Sequence, residues 1–315
     1  MRPIFTSLIA GAALAATTLT GALAETRFGP LLTPAELAAA QDTLNPLVLD
    51  IRAGEGGYDA GHIPGAVSAP YGKFRGPAEN PGQLLSEEAL TGLLRSLGVT
   101  ADRPVVVVHQ GKDETDFGAA ARVYWTLKSS GVSQLAILNG GVNAWTADGR
   151  GLSTEATQPV PSDITVSFST EWLATRDEVK AVVDGKTQAT LIDARPEAFY
   201  KGETQHKAAK QPGTLPHAQI FTHSNWFASG PAIVDPAAAG ALAANAGLKG
   251  DETLVSFCNT GHWAATNWFA LSELAGIEGV KLYPESLVGW SNAGLPMDNV
   301  PGRFTHLWST VKSWF

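Results

Sequence analysis

The chain has 315 residues and a formal net charge of -8, with 22 Lys and Arg against 30 Asp and Glu. This acidic balance, without any stripe of basic residues, argues against nucleic acid as a partner. Hydrophobic residues make up 44% of the chain, which is enough for a sizeable core. A chain of this length is expected to form about two domains.

The first 24 residues have the pattern of a secretory signal peptide. Met1-Arg2-Pro3 is a basic start, residues 4–19 are mainly apolar, and Ala22-Leu23-Ala24 is a small-residue cleavage site. A membrane anchor is the alternative, but the apolar stretch is short for a bilayer span. We therefore predict cleavage after Ala24 and export, most simply to a bacterial periplasm.

Short apolar runs alternate with helical patterns in the first half of the chain. Thr33-Pro34 predicts a helix start, because proline is favoured at the first helical position. Continuous apolar runs bounded by turn residues indicate buried strands. The predicted strands are Leu47–Arg52, Pro104–His109 and Leu135–Leu138, and the predicted helices cover Ser86–Leu97 and Ala119–Ser129.

The second half repeats this order of elements. Asp193-Ala194-Arg195 matches Asp50-Ile51-Arg52, and Trp290 matches Trp145 at a similar spacing. Such a repeat predicts two tandem copies of one α/β domain, each a mainly parallel sheet flanked by helices. We place the domains at residues 25–150 and 166–300, with a linker at 151–165 and an amphipathic tail at 301–315.

Cys258 is the only cysteine in the chain. It follows a predicted buried strand, Thr253–Phe257, and precedes Gly261 and a helical pattern. A helix N-terminus and oriented backbone N–H groups stabilise negative charge, so this position favours the thiolate. A single cysteine cannot form an internal disulfide and is a reactive thiol, an intermolecular partner or a buried thiol. The strand-to-helix position favours a nucleophile.

The first half has no cysteine at the equivalent place. The strand Pro104–His109 is followed by residues 110–116, an acidic segment that we interpret as a longer loop. Acidic side chains repel an anionic substrate. We therefore predict that the first domain is inactive and that the second is catalytic.

These motifs resemble the rhodanese family in its tandem two-domain form, over nearly all of residues 30–300. The resemblance implies a sulfurtransferase whose cysteine takes sulfane sulfur from thiosulfate or 3-mercaptopyruvate and becomes a persulfide. Cyanide, a thiol or a protein then accepts the sulfur. An inactive first domain is also usual in the tandem form. The motifs are Asp50-Ile51-Arg52, the segment Gly61–Ala66, the segment Leu138–Gly141 with Trp145, and Cys258 with Gly261.

The chemistry of the residues agrees with this resemblance. Transfer through one thiolate is a two-step covalent reaction that needs no metal and no other cofactor. Backbone N–H groups of residues 259–263 can hold the persulfide anion, and glycine permits the tight turn. We predict Cys258 as the catalytic residue and assign substrate and persulfide binding to Asn259, Thr260, Gly261, His262, Trp263, Arg195 and Lys201.

Some of these residues also have simpler interpretations. The Asp-x-Arg motifs are favoured as ion pairs that fix strand ends, and Lys201, in an insertion that extends to Gln211, is ordinarily part of a solvated face. His262 either binds an anionic donor or makes structural hydrogen bonds. Phe199 stands where thiosulfate-using tandem members tend to carry an arginine, so the donor stays open.

Other classes of function are less well supported. Cys258 and His262, with scattered histidines, lack the spacing of a structural zinc site. A phosphatase on this fold requires an arginine six residues after the cysteine, and Ala264 stands there. A non-catalytic persulfide carrier, or an interaction module that serves a periplasmic redox partner, stays as the alternative. For the tail, packing on its own domain is favoured over a membrane surface or a partner.

Overall fold

The first domain is built on a five-stranded parallel sheet. The computed structural model describes residues 28–301, so the predicted signal peptide and all but the first residue of the predicted tail lie outside the described residues. The strands are β1 (Leu31–Leu32), β2 (Leu47–Asp50), β3 (Val67–Ser68), β4 (Val105–Val108) and β5 (Leu135–Leu138), in the order β1-β5-β4-β2-β3.

The second domain repeats this sheet with four parallel strands. Asp50 pairs with Val108 in the first sheet and Asp193 with Phe257 in the second, so the next residues, His109 and Cys258, are equivalent. The predicted tandem α/β fold is confirmed. The strands are β6 (Thr190–Asp193), β7 (Gln219–Ile220), β8 (Leu254–Phe257) and β9 (Val280–Leu282), in the order β7-β6-β8-β9.

Helices cover both sheets, and side-chain caps fix several of their starts. Thr33 and Glu36 form a reciprocal capping box at the first helix, and Ser86 caps the second. The helix Trp263–Trp268 runs on into a π-helical segment, Phe269–Leu274. The helices are α1 (Pro34–Thr43), α2 (Glu87–Ser96), α3 (Glu114–Ser129), α4 (Gly141–Ala147), α5 (Arg176–Val183), α6 (Glu197–Tyr200), α7 (Pro236–Asn245), α8 (Trp263–Trp268) and α9 (Ser286–Asn292).

Helix α3 begins earlier than predicted, and this corrects the interpretation of the acidic segment. The Asp113 side chain accepts the N–H of Asp116 at 2.8 Å and caps the helix. Acidic side chains in the first turn are stabilised by the positive end of the helix dipole. The loop after β4 therefore runs only from His109 to Asp113, the same length as Cys258 to His262, and the prediction of a longer loop is wrong.

The predicted strand-end ion pairs are present in both domains. Asp50 pairs with Arg52 at 2.7 Å and Asp193 with Arg195 at 2.6 Å, and both aspartates are fully buried. Each arginine also donates to the carbonyl of the glycine that opens the next motif, Gly213 in the second domain. The guanidinium groups thus join the ends of β2 and β6 to the loops that follow these strands.

The two domains share one hydrophobic core, formed where α3 packs against α8. The ring of Tyr124 lies edge-to-face on Phe269 at 5.0 Å between centroids, and its hydroxyl donates to Glu273 at 2.6 Å. Lys128 pairs with the same carboxylate at 2.8 Å. Burial of aromatic area with matched polar contacts holds the domains in one orientation. Residues of the first domain consequently reach the loop after β8.

Candidate active site

Cys258 lies directly after β8, in the loop that leads into α8, as the sequence predicts. The residue is 1% exposed. Gly261 has φ +66°, and a Cβ placed there would lie 2.5 Å from the carbonyl oxygen of Pro284. Glycine is therefore required both for the left-handed backbone and for the close approach of the neighbouring chain. The tight turn expected from the glycine spacing is confirmed.

Ser286, at the start of α9, closes this loop from the other side. Its Oγ accepts the N–H groups of Cys258 at 3.0 Å and Gly261 at 3.1 Å and donates to the carbonyl of Tyr283 at 2.8 Å. The Gly261 N–H thus already has an acceptor in Ser286, so it is not one of the free donors within residues 259–263. Ser286 is absent from the site predicted from the sequence, although alignment of Trp290 with Trp145 places Ser286 opposite Gly141.

The shared backbone conformation supports that equivalence. Ser286 has φ +50° and Gly141 has φ +59°. The next residues, Leu287 and Val142, donate in the same way to the carbonyls of Cys258 and His109. A serine in the left-handed region is uncommon and strained. Its presence at this one place indicates that the hydroxyl is needed by the second domain and not by the first.

Asn259 and Thr260 are buried in the loop and are held by arginines. Arg195 donates to the Asn259 side chain at 3.2 Å, while its remaining donors bind Asp193 and Gly213. Arg195 therefore reaches the loop through Asn259, as a structural support. The carbonyl of Thr260 faces the first domain and accepts from Arg75 at 2.8 Å.

Both ring nitrogens of His262 bind the first domain. Nε2 lies 2.7 Å from the Thr115 carbonyl, which only accepts, so Nε2 carries the proton. Nδ1 consequently accepts from the Tyr71 hydroxyl at 2.8 Å. Burial, and then the charge of Arg75, lower the pKa of His262 to about 4. The ring is neutral and both of its nitrogens bind the first domain, which favours structural hydrogen bonds over binding of an anionic donor.

Trp263, like His262, binds the first domain. Its Nε1 donates to the Thr115 hydroxyl at 3.1 Å, its ring stacks on His223 at 4.8 Å between centroids, and Phe199 lies edge-on at 5.9 Å. Trp263 therefore forms an aromatic wall instead of a polar binding group. Thr115 anchors both His262 and Trp263, and so ties the end of the loop to α3.

Lys201 is not brought to the loop. It lies on the surface and pairs with Glu197, and the hydrogen bond that its ammonium donates to that carboxylate raises the pKa of Lys201. The ammonium of Lys201 is thus engaged by a carboxylate at the surface, and its assignment to substrate binding stays a prediction. The insertion that follows packs on α9, where Lys210 donates to the Asn292 carbonyl at 2.7 Å. The same insertion contains His206. Burial lowers the pKa of His206, and the charges of Lys207 and then Arg75 lower it further.

Three residues of the first domain complete the surroundings of Cys258, and none of them is in the site predicted from the sequence. Tyr71 and Arg75 come from the segment before α2. Arg122 comes from α3, and its Nη1 donates to the carbonyls of Thr260 at 3.4 Å and Gly261 at 3.2 Å. These contacts join residues more than a hundred positions apart, so no local spacing could reveal them.

The equivalent loop of the first domain holds a carboxylate of its own. The Asp116 oxygen accepts the N–H groups of Gly111 at 2.6 Å and Lys112 at 3.0 Å and contacts His109 Nδ1 at 2.9 Å. Burial alone would raise the pKa of Asp116, but these hydrogen bonds outweigh burial and lower it. The carboxylate thus takes the loop N–H groups, and His109 stands in place of a thiol.

Other features of the described residues do not compete for this role. Among residues 28–301, no helix has the length and apolarity to cross a bilayer. In the same range, no three His, Cys, Asp or Glu side chains converge as metal ligands would. A cavity of about 980 Å³ lies between the domains, lined in part by Phe28, Tyr124, Ile233 and Glu273. Cys258 is not among its lining residues, so the thiol and its loop, and not cavity size, locate the site.

Comparison with known proteins assigns the chain to a family. The model of the rhodanese-like domain matches residues 33–148 and 175–293. The matched ranges contain both sheets and cover more than half of the chain. The chain therefore belongs to the rhodanese family and carries two copies of its domain.

Named relatives add the class of activity. The chain is 30% identical to the sulfur carrier protein TtuD of Thermus thermophilus, over 76% of this chain and 86% of that protein. It is 28% identical to the putative thiosulfate sulfurtransferase SseB of Mycobacterium tuberculosis, over 83% and 94%. The crystal structure of SseA from Escherichia coli, a 3-mercaptopyruvate sulfurtransferase, matches with a TM-score of 0.68 and 25% identity, over 80% and 97%. The chain is a sulfurtransferase.

Ser286→Gly should preserve the fold and slow sulfur transfer. Glycine already occupies the equivalent position in the first domain, so only the hydroxyl that fixes Cys258 and Gly261 is lost. Misplacement of the loop is expected to lower kcat/KM by roughly tenfold to a hundredfold. Steady-state assays with thiosulfate and cyanide measure the effect. Ser291→Ala, on the same helix, should leave kcat/KM unchanged, and an unaltered Ser286→Gly enzyme would contradict the prediction.

His262→Gln should flatten the loss of stability on the acid side. The folded pKa of about 4 lies below the value of about 6.5 for an unfolded histidine, so the unfolded chain binds more protons between them. Stability is fully present above about pH 6.5 and is lost toward pH 4, by up to about 1.4 kcal/mol per pH unit. Urea unfolding at several pH values should show a smaller slope in this variant. Replacing the exposed His217 by Gln should not change the slope; equal slopes for all three proteins would contradict the assignment.

Proposed function

We propose that the protein is an exported sulfurtransferase that moves sulfane sulfur through a persulfide on Cys258. The donor is thiosulfate or a mercaptopyruvate-like molecule, and the acceptor is cyanide, a thiol or a protein. One observation carries the proposal. The only thiol of the chain lies at a strand-to-helix turn, while the equivalent turn of the first domain holds a histidine and an internal carboxylate.

The reaction balances with one cysteine. The Cys258 thiolate attacks the outer sulfur of thiosulfate, the S–S bond breaks, and its electron pair leaves with sulfite. With a mercaptopyruvate-like donor, the C–S bond breaks and the carbon takes up a proton. The carbon of cyanide then attacks the terminal sulfur of the persulfide, and the electron pair of that S–S bond returns to Cys258 as thiocyanate departs. The scheme is a two-step covalent transfer.

The surroundings of Cys258 suit an anion in both steps. Arg75 and Arg122 hold the Thr260 carbonyl, while Arg195 is neutralised by Asp193. Burial of the thiol excludes water, which strengthens electrostatic interactions and protects a reactive sulfur from side reactions. The aromatic wall of Trp263 and Phe199 favours a small sulfur donor.

Cys258→Ser should abolish both steps. Intact mass spectrometry after incubation with thiosulfate or 3-mercaptopyruvate should show the gain of one sulfur atom in the wild-type protein and none in the variant. Thiocyanate release with cyanide should disappear in the same variant. Because the chain has one cysteine, no second thiol can substitute, and activity that survives would overturn the proposal. Stable sulfur gain with negligible turnover on cyanide would instead identify a carrier.

Export is the second part of the proposal and rests on the first 24 residues. Cell fractionation should place the mature protein in the periplasm, and N-terminal sequencing should begin at Glu25. Ala24→Asp should block cleavage, because signal peptidase requires a small residue there. Recovery of the uncleaved wild-type chain from the cytoplasm would contradict export and would leave the chemistry of Cys258 unaffected.

A further inference from the structure

Arg122 is a fully buried cation that lacks a carboxylate partner within residues 28–301. Its guanidinium donates only to backbone carbonyls, those of Thr260, Gly261 and Gly82 at 3.2 to 3.4 Å. Its Nε is buried and has no acceptor among the described residues. Burying a charge is costly, and buried arginines are ordinarily paired. The position therefore requires a compensating anion.

Arg75 adds a second cation beside the first. Its Nη2 shares the Thr260 carbonyl with Arg122, and its Nη1 is buried without a partner in the described part of the chain. Burial, and then the neighbouring charge of Arg75, lower the pKa of Arg122 to about 9. Two like charges at one carbonyl are unfavourable unless a negative group lies close to both.

Cys258 is the group that can supply this negative charge. Negative charge on Tyr71, and then on the sulfur of Cys258, acts on Arg122 in the sense that raises the pKa of the arginine, opposing burial and Arg75. His262 is neutral, Arg195 is paired with Asp193, and burial raises the pKa of Tyr71, so its hydroxyl keeps its proton. The titratable and charged groups around the loop are thus Tyr71, Arg75, Arg122, Asp193, Arg195, His223 and His262, with His206 within the influence of Arg75.

We propose that Arg122, together with Arg75, supplies the positive charge that stabilises the sulfur of Cys258 as an anion. The first domain, which has no thiol, is then an electrostatic part of the active site of the second. Arg122 is a positioning residue, because its guanidinium holds the carbonyls of Thr260 and Gly261. The charge of this guanidinium is buried, so water screens it little. The part of this inference that concerns the persulfide rests on the function proposed above, whereas the thiolate part does not.

The ultraviolet absorbance of the thiolate tests this inference directly. The chain has one cysteine, so the pH titration of the wild-type protein minus that of Cys258→Ser reports on a single group. Arg122→Gln keeps a hydrogen-bond donor and removes the charge. Removing an opposite charge next to an ionising group is expected to shift the midpoint upward by about 1 pH unit or more. Arg122→Lys, which keeps the charge, should shift it less.

Lys128→Gln is the matched control. It removes the same charge from the same helix, but Lys128 is already paired with Glu273, so the midpoint should not move. A purely structural role of Arg122 would lower the thermal stability of Arg122→Gln without moving the midpoint, and that result would overturn the inference. If Arg122→Gln does not fold, Arg75→Gln carries the test, with a smaller upward shift expected and no shift overturning the inference.

The titration uses no sulfur donor. It can therefore succeed where persulfide formation fails, or fail where persulfide formation succeeds. Its outcome is thus separate from that of the proposed reaction.

Discussion

Helix α3 of the first domain packs against the loop that follows β8, and this contact determines what surrounds Cys258. Arg122 and Thr115 project from that helix and bind the carbonyls, the imidazole and the indole of residues 260–263. The apolar part of the same interface, where Tyr124 lies on Phe269, holds the two domains in register. Separation of the domains would therefore expose the thiol and also remove two cations from its environment. The surroundings of Cys258 therefore belong to the pair of domains.

The sequence predicted the elements that depend on local patterns. Apolar runs located the strands, and the repeated Asp-x-Arg motifs aligned the two halves, because each motif forms a buried ion pair at the same strand end. The prediction of a longer loop at residues 110–116 is wrong, since Asp113 and Asp116 belong to the start of a helix. Arg75 and Arg122 could not be found, because a contact between domains leaves no periodic signal in a single sequence. The sequence leaves the role of His262 open, since only the positions of Thr115 and Tyr71 show that both ring nitrogens form hydrogen bonds.

Gly141 and Ser286 have the same backbone conformation at equivalent places in the two domains, but only Ser286 adds a hydroxyl. Both residues lie in the left-handed region, where the chain turns from the last strand into a helix. A Cβ at Gly141 would lie 2.6 Å from the N atom of Gly111, so the first domain admits only glycine there. The second domain has room for a hydroxyl, and that hydroxyl ties the segment before α9 to the Cys258 loop. The second domain thus carries a side chain where the turn itself does not require one, which is typical of strain that is kept for function.

Asp116 has a consequence for how the first domain behaves toward dissolved anions. Its carboxylate is covalently part of the chain and lies on the loop N–H groups at 2.6 and 3.0 Å. A tethered ligand acts at an effective concentration that free solutes at ordinary levels do not reach. Sulfite, thiosulfate or phosphate would have to displace a competitor that is present in every molecule. The N–H groups of Gly111 and Lys112 are therefore already occupied by a group of the chain itself, which disfavours binding of a dissolved anion at this turn.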